Sequence, residues 1–218
     1  TRYLARYRDI ALLLMRHGGR ELLNATGLDS VLKPEDEEDQ REGAEALSED
    51  LEELGPTFVK LGQLLAGRAD LMPEAYLVAL SRLHDNVEPI EFETIKQIVE
   101  DELGRPIDQA YASFNPEPLA AASIGQVHTA ELHDGTAVVV KVQRPGAKET
   151  IDLDIRAMEQ IAKLMDEHTE IGQRYRFRSI LRQFERALHN ELDYTNEADN
   201  LQMLRRNLAD FDTLVVPL

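Results

Sequence analysis

Near the middle of this chain two extended runs, Gln126–Leu132 and Thr136–Gln143, are separated by His133-Asp134-Gly135. Asp-Gly between two such runs is among the strongest short-range signals for a β-hairpin, because glycine takes the positive φ that the turn needs. A third short run, Leu119–Ala122, precedes them. The flanking sequence is helical in pattern, so the expected class is α+β and mainly helical: a small antiparallel sheet with helices before and after it.

The preceding helices are read from breakers and periodicity. Residues 1–33 form one or two helices broken at Gly18-Gly19 and again near Gly27. Residues 34–46 are an acidic linker opened by Pro34, and a short helix capped by Ser48 ends at Gly55. Pro56 occupies a first helical position, where its missing N–H costs nothing, and the helix continues from Thr57 to about Ala69. Further helices cover Glu74–Leu83 and Glu91–Leu103, the latter closed by Gly104. After Pro145 two long helices follow, at about Lys148–His168 and Ser179–Leu208, and Leu214-Val215-Val216 begins another strand. Three domains are expected: 1–49 as N-terminal helices and acidic linker, 50–110 as a helical extension, and 111–218 around the sheet.

Composition excludes several classes. The 218 residues carry a net charge of −17, with 43% hydrophobic and 30% charged residues. That balance suits a globular core but argues against nucleic acid as a partner, since phosphate backbones need a basic patch. No cysteine is present, which removes disulfides and thiolate metal sites. The longest apolar runs, Ala11–Met15 and Ala137–Val140, are far too short to cross a bilayer, and no secretory signal is visible. The chain opens on Thr1 and not Met, as a piece of a longer protein would. Acids crowd between Glu35 and Glu53 with Arg41 as the lone cation, a solvated linker or helix face. Residues 1–20 instead set Arg2, Arg6, Arg8, Arg16 and Arg20 around Leu4, Ile10, Leu13 and Leu14. Such a helix either docks on its own domain or lies on a membrane surface.

The hairpin region also carries chemistry. Ala120-Ala121-Ala122-Ser123-Ile124-Gly125-Gln126-Val127 stands where a kinase would place a phosphate-covering loop, with alanines for glycines. Val138-Val139-Val140-Lys141 mirrors V-A-I-K, whose lysine neutralises nucleotide phosphates from a rigid strand. Alternatively Lys141 is an exposed strand lysine extending from an apolar run. Upstream, Lys60 and Gln63 share one face of a helix, and Gly62 between them permits close approach. That helix is apolar around most of its circumference through Phe58, Val59, Leu61, Leu64 and Leu65, so Lys60 is expected to be buried and to need an anion; the alternative is a surface lysine that snorkels to solvent. Downstream, Glu191-Leu192-Asp193-Tyr194-Thr195-Asn196-Glu197-Ala198 supplies carboxylates, with Asp193 and Glu197 on one helix face and Glu191 directed elsewhere.

Taken together, K-L-G-Q, A-A-A-S-I-G-Q-V-H, V-V-V-K and E-L-D-Y-T-N-E-A, in this order over about residues 50–218, resemble the AarF/UbiB family of atypical protein-kinase-like proteins. The resemblance implies a protein-kinase-like small lobe, an antiparallel sheet with a C-type helix, carrying an N-terminal helical extension. It implies that Lys60, Gly62 and Gln63 are the K-x-G-Q signature lying over the active site. Ala120, Ala121, Ala122, Ser123, Ile124, Gly125 and Val127 would form the nucleotide loop, and Lys141 would be the strand lysine. Glu197 would be the helix glutamate paired with Lys141, while Glu191 and Asp193 would be an E-x-D motif facing the extension, within reach of Lys60. ATP or ADP would be the ligand, with Mg expected only alongside a large lobe.

The family is implicated in ubiquinone and other isoprenoid-quinone biosynthesis, as an ATPase or atypical kinase near membranes. Partners so implied are a nucleotide, an isoprenoid or quinone-pathway lipid or protein, and peripheral contact with a membrane. The expected location is the cytoplasm, or the inner membrane's periphery if the source is bacterial; oligomeric state is not encoded. No His-Arg-Asp loop or Asp-Phe-Gly is present, Asp210-Phe211-Asp212 standing in the wrong place. The chain is therefore expected to be a small lobe cut before its hinge and inert alone; the alternative is a non-catalytic, pseudokinase-like module that binds a protein, membrane or lipid.

Overall fold

The computed structural model describes residues 2–24, 37–70, 72–83, 88–211 and 213–217. Its contacts divide the chain into two units, Thr1–Ala157 and Met158–Leu218.

The first unit begins with four helices: α1 (Arg2–Asn24), α2 (Glu37–Leu54), α3 (Pro56–Ala66) and α4 (Glu74–Ser81). Helix α2 presents Ala44, Leu47 and Leu51, at spacings of three and four residues, to the interior. It packs against α3 and α4, whose Phe58, Val59, Ala79 and Leu80 are also buried. Gly62 is what lets α3 come close. A Cβ there would sit 2.1 Å from Leu83 Cδ1 and 3.1 Å from Leu51 Cδ1. The approach that this glycine permits is thus to neighbouring leucines.

Helix α1 is fastened to this group by polar contacts. Arg6, its guanidinium 5.1 Å from the centre of the Phe58 ring, makes a two-point ion pair with Asp154, one bond being 2.9 Å, and donates to the Leu54 carbonyl at the end of α2. The fully buried Asp154 also accepts from the Thr57 hydroxyl at the start of α3. Farther along, His17 and Arg16 both reach Asp50 of α2, at 2.6 Å and 2.5 Å.

The sheet follows α5 (Phe92–Leu103) and the short α6 (Ile107–Ala110). Its strands are β1 (Ser113–Phe114), β2 (Ala120–Ala121), β3 (Gly125–Glu131) and β4 (Ala137–Gln143), all paired antiparallel. Strand β3 is central, with β1 and β2 in succession along one edge and β4 along the other. The Asp-Gly hairpin forms as the sequence predicts. Gly135 adopts φ 86°, and Asp134 accepts from the Thr136 N–H at 2.9 Å. Hydrogen bonding from the Thr136 side chain, and then from its backbone N–H, holds the Asp134 carboxyl below its usual range. Helix α5, closed by the left-handed Gly104, lays Ile95 and Val99 against Val142, with Ile98, Tyr111, Phe114 and Val140 around them.

Helix α7 (Ala147–His168) carries the chain into the second unit. There α8 (Glu170–Tyr175), α9 (Phe177–Leu192) and α10 (Tyr194–Asn207) complete the described elements. Gly172 turns so tightly against α7 that a Cβ would fall 2.0 Å from the Met165 carbonyl oxygen. Asp166 of α7 caps α9 by accepting from the Phe177 and Arg178 N–H groups, at 2.8 Å and 3.2 Å.

Four expectations are corrected. Helix α1 runs unbroken through Gly18-Gly19: an interior glycine costs only about 1 kcal/mol, which the contacts of Arg6, Ile10 and His17 offset. Residues 37–46 are the first half of α2 and not a linker, because their acids are adequate helix formers flanking the buried Ala44 and Leu47. The expected helix from Ser179 to Leu208 is interrupted at Asp193, which is extended, and its first half begins earlier, after the left-handed Arg176. Among the described residues Leu214–Val216 form no strand, having no partner strand in this sheet. Gly27, Pro34 and Asp212 lie outside the described residues.

Candidate functional site

Strand register sorts the loop-and-lysine region into two faces. Ala120 pairs with Val127, and Val127 pairs with Lys141, so these three side chains form one row across β2, β3 and β4. Ala120 and Lys141 are exposed and Val127 is half-buried. Val139, two residues from Lys141 on the same face, is 63% exposed. The front face therefore offers a cation on a paired strand beside a small apolar surface. The adjacent row, Ala121, Gln126 and Val142, points the other way, toward α5.

The connection from β2 to β3 is a short, closed turn. Ala122 N–H donates to the Gly125 carbonyl at 2.8 Å, and Leu119 N–H to the Val127 carbonyl at 2.7 Å. Ser123, Ile124 and Gly125 are buried, and the Ile124 carbonyl accepts from Arg144 N–H at 2.9 Å. No described residue from Leu119 to Gly125 has positive φ. The alanines thus fit a stiff turn in ordinary backbone conformations, whereas a glycine loop would visit left-handed ones.

Lys60 and Gln63, on α3, are half-buried, and the Gln63 carboxamide donates to the Leu83 carbonyl at 3.2 Å, just past α4. Helix α3 is less enclosed than its composition predicts, since Leu64 is 44% exposed while Thr57, Phe58, Val59 and Gly62 are buried.

In the second unit the three carboxylates straddle the break between α9 and α10. Glu191 lies in the last turn of α9, and Asp193 sits in the break as the N-cap of α10, accepting from Thr195 N–H at 3.0 Å and Asn196 Nδ2 at 3.1 Å. Glu197 is in the first turn of α10, and the Asp193 carboxylate is occupied in capping that helix. Between them, burial and then the negative charges of Glu197 and Glu191 push the Tyr194 phenol up to about 12.

Sequence reasoning missed the back of the sheet. Gln126 and His128, 1% and 0% exposed, are linked by a 2.8 Å bond between Gln126 Nε2 and His128 Nε2. The alternation of β3 was the available signal, because Gln126 and His128 stand two apart between front-face residues. Arg6, Thr57 and Asp154 had no short-range signal at all. Among the described residues no group of three or more His, Asp or Glu is placed to hold a metal ion, and no helix is long and apolar enough to cross a membrane.

Comparison with known proteins places this geometry. Residues 82–218 match the model of the ABC1 atypical kinase-like domain. A probable protein kinase UbiB from Marinobacter nauticus is 40% identical over 167 residues, 77% of this chain and 30% of that protein. The chloroplastic protein ACTIVITY OF BC1 COMPLEX KINASE 7 of Arabidopsis thaliana is 43% identical over 179 residues, 82% of this chain and 26% of that protein. The chain thus spans roughly a third or less of these relatives' length. Among solved structures, the erythromycin complex of Rv3197 from Mycobacterium tuberculosis superposes with a TM-score of 0.52 at 30% identity, covering 77% of this chain and 42% of that one. The mainly helical fold with its small antiparallel sheet is accordingly kinase-like, and the chain belongs to the ABC1 atypical kinase-like family.

Proposed function

We propose that this chain supplies the ATP-binding part of an atypical kinase or ATPase of the UbiB type. The observation that carries the reading is the Ala120–Val127–Lys141 row: a strand lysine beside a stiff alanine turn, on the sheet face opposite α5. A lysine held on a paired strand neutralises phosphate charge with little reorganisation. The exposed Val139 offers apolar contact to the rest of a nucleotide. Within the same unit, Lys60 and Gln63 shape access to this face. Phosphoryl transfer from ATP to water or to a small or lipid-like hydroxyl breaks the bond to the ADP oxygen and forms one to the acceptor oxygen. That step draws on metal ligands and an aspartate outside this sequence, so the chain alone binds ATP or ADP without turning it over. The likeness of the chain's motifs to the AarF/UbiB family extends the proposal to a role in isoprenoid-quinone biosynthesis at a membrane periphery.

Titration of the purified 218-residue chain with MgADP and MgATP tests the reading. Binding weakened on the order of tenfold in Lys141→Ala is the expected result. Equal binding by chain and variant removes Lys141 from the site, and ATP turnover by the chain refutes its inertness.

A second reading, a module that binds a protein or membrane without catalysis, is favoured by one observation. Leu4, Leu12 and Met15 are 65%, 51% and 71% exposed on the outer side of α1, while Ile10 is buried. Vesicle co-sedimentation of the chain, compared with Leu12→Glu, tests it; equal sedimentation removes that face.

A further inference from the structure

Behind the front row, the segment entering α5 is held by side chains on either side of the alanine turn. The Gln126 carboxamide grips Ile90 at two points. Its Oε1 accepts from Ile90 N–H at 2.8 Å and its Nε2 donates to the Ile90 carbonyl at 3.3 Å, as a neighbouring strand would. The orientation of this amide is fixed, because the Ile90 N–H demands an acceptor. Nε2 then has its second hydrogen for His128 Nε2, and His128 Nδ1–H donates to the Asn115 carbonyl at 2.8 Å. Both side chains are almost fully buried, where an unmade hydrogen bond is costly. Arg144 does the same from β4's end: its guanidinium donates to the Glu88 carbonyl at 2.9 Å, while its backbone N–H holds Ile124 at the tip of the turn.

Gln126 follows the turn directly, and Arg144 binds its tip. The two therefore bracket the turn and fasten both ends to one short piece of backbone, Glu88–Ile90. We infer that Gln126 and Arg144 are positioning residues that make Glu88–Ile90 the rear support of the alanine turn, setting its height over the Lys141 face. This rests on the nucleotide reading for its consequence, but not for its geometry. A glycine loop adjusts to its ligand; this turn is placed in advance by the segment leading into α5, which lowers the ordering cost of binding.

The test uses NMR-detected amide exchange and MgADP titration on the 218-residue chain, on Gln126→Glu and on Arg144→Lys. Gln126→Glu keeps the acceptor for Ile90 N–H and loses both donors. Arg144→Lys withdraws the fork from Glu88 and keeps the backbone bond to Ile124. The expected result is that the Ala122 and Arg144 amides, which close the turn, exchange on the order of tenfold faster. Hairpin amides such as Leu132 stay unchanged, and MgADP binding weakens several-fold. Unchanged exchange at Ala122 and Arg144 overturns the inference, as does equal acceleration throughout the hairpin, which reports general destabilisation. If Gln126→Glu does not fold, Arg144→Lys decides by the same criterion. Failure of the unsubstituted chain to bind MgADP defeats the nucleotide reading, while the exchange pattern still decides the positioning role.

Discussion

Replacing Arg6 by alanine is the sharpest test of what holds the helical part of the first unit together. Asp154 is fully buried, and its carboxylate is met by the Arg6 guanidinium at two points and by the Thr57 hydroxyl. Arg6→Ala removes the cation and leaves a dry carboxylate with one neutral donor. Breaking a buried pair in this way costs about 3–5 kcal/mol, most of it from the stranded charge. The Leu54 carbonyl at the end of α2 loses its donor as well, and the stacking over Phe58 disappears. For a chain of this size about 1 kcal/mol corresponds to roughly 2–4 °C in Tm, so a fall of roughly 6–20 °C is expected.

Three companion measurements make the reasoning refutable. Arg8→Ala removes an exposed pair with Asp9 on the same helix and is expected to change stability by less than about 0.5 kcal/mol. Arg6→Leu combined with Asp154→Leu removes both charges and is expected to recover most of the loss, since an apolar pair of similar volume needs no counter-charge. High salt is expected to leave the Arg6→Ala penalty intact, because a buried pair is poorly screened. Urea and thermal unfolding read all four proteins. A loss below about 1 kcal/mol in Arg6→Ala, or a double variant no better than the single one, refutes the claim that an uncompensated buried charge is the cause.

Other expectations follow from single contacts. Gly62→Ala gains helix propensity of about 1 kcal/mol but sets a methyl against Leu83 and Leu51, so a net loss of about 1–2 kcal/mol is expected by urea unfolding; a stabilised variant refutes it. Burial raises the Asp50 carboxyl, but hydrogen bonds from His17 and Arg16 outweigh it and hold the group below its ordinary 3.8. A lowered folded-state value means that Asp50 contributes stability above pH 3.8 and loses it as pH falls through the lower value. Asp50→Asn should therefore be less stable near neutrality and flatter in that acid range, and parallel curves would sink the assignment. Asp193→Ala removes the cap of α10 and should cost about 0.5–2 kcal/mol, seen as faster exchange of the Thr195 amide, with no change expected in the hairpin.

The sheet was legible because its information is local. Asp134-Gly135 dictates the turn, and period-two alternation places Val138, Val140 and Val142 on the α5 face and Lys141 on the other. The helix ends at Gly55 and Gly104 were legible for the same reason, each depending on one residue's φ. Gly18-Gly19 does not break α1 because propensity is a weak prior against tertiary contact, and the acid run is helical because the spacing of Ala44, Leu47 and Leu51 outweighs its charge. The break at Asp193 was readable in principle, since aspartate caps helices better than it continues them. Arg6 and Asp154 lie 148 positions apart, and nothing in either neighbourhood announces the other.

The Gly125-Gln126-Val127-His128 stretch shows why a motif and a site are different things. Read as a string, its four residues invite one role. A strand alternates, so consecutive residues answer to opposite surroundings: Gly125 and Val127 to the front with Lys141, Gln126 and His128 to a dry interior beneath α5. Substitution at Val127 should therefore act on ligand contact with little change in the turn's exchange. Substitution at Gln126 should act on the turn whether or not a ligand is present. A stiff turn also needs its support more than a flexible one does, because it has no left-handed freedom with which to recover a lost position. The alanines of the turn and the buried glutamine behind it are on this argument one device, and loosening either should weaken binding through the other.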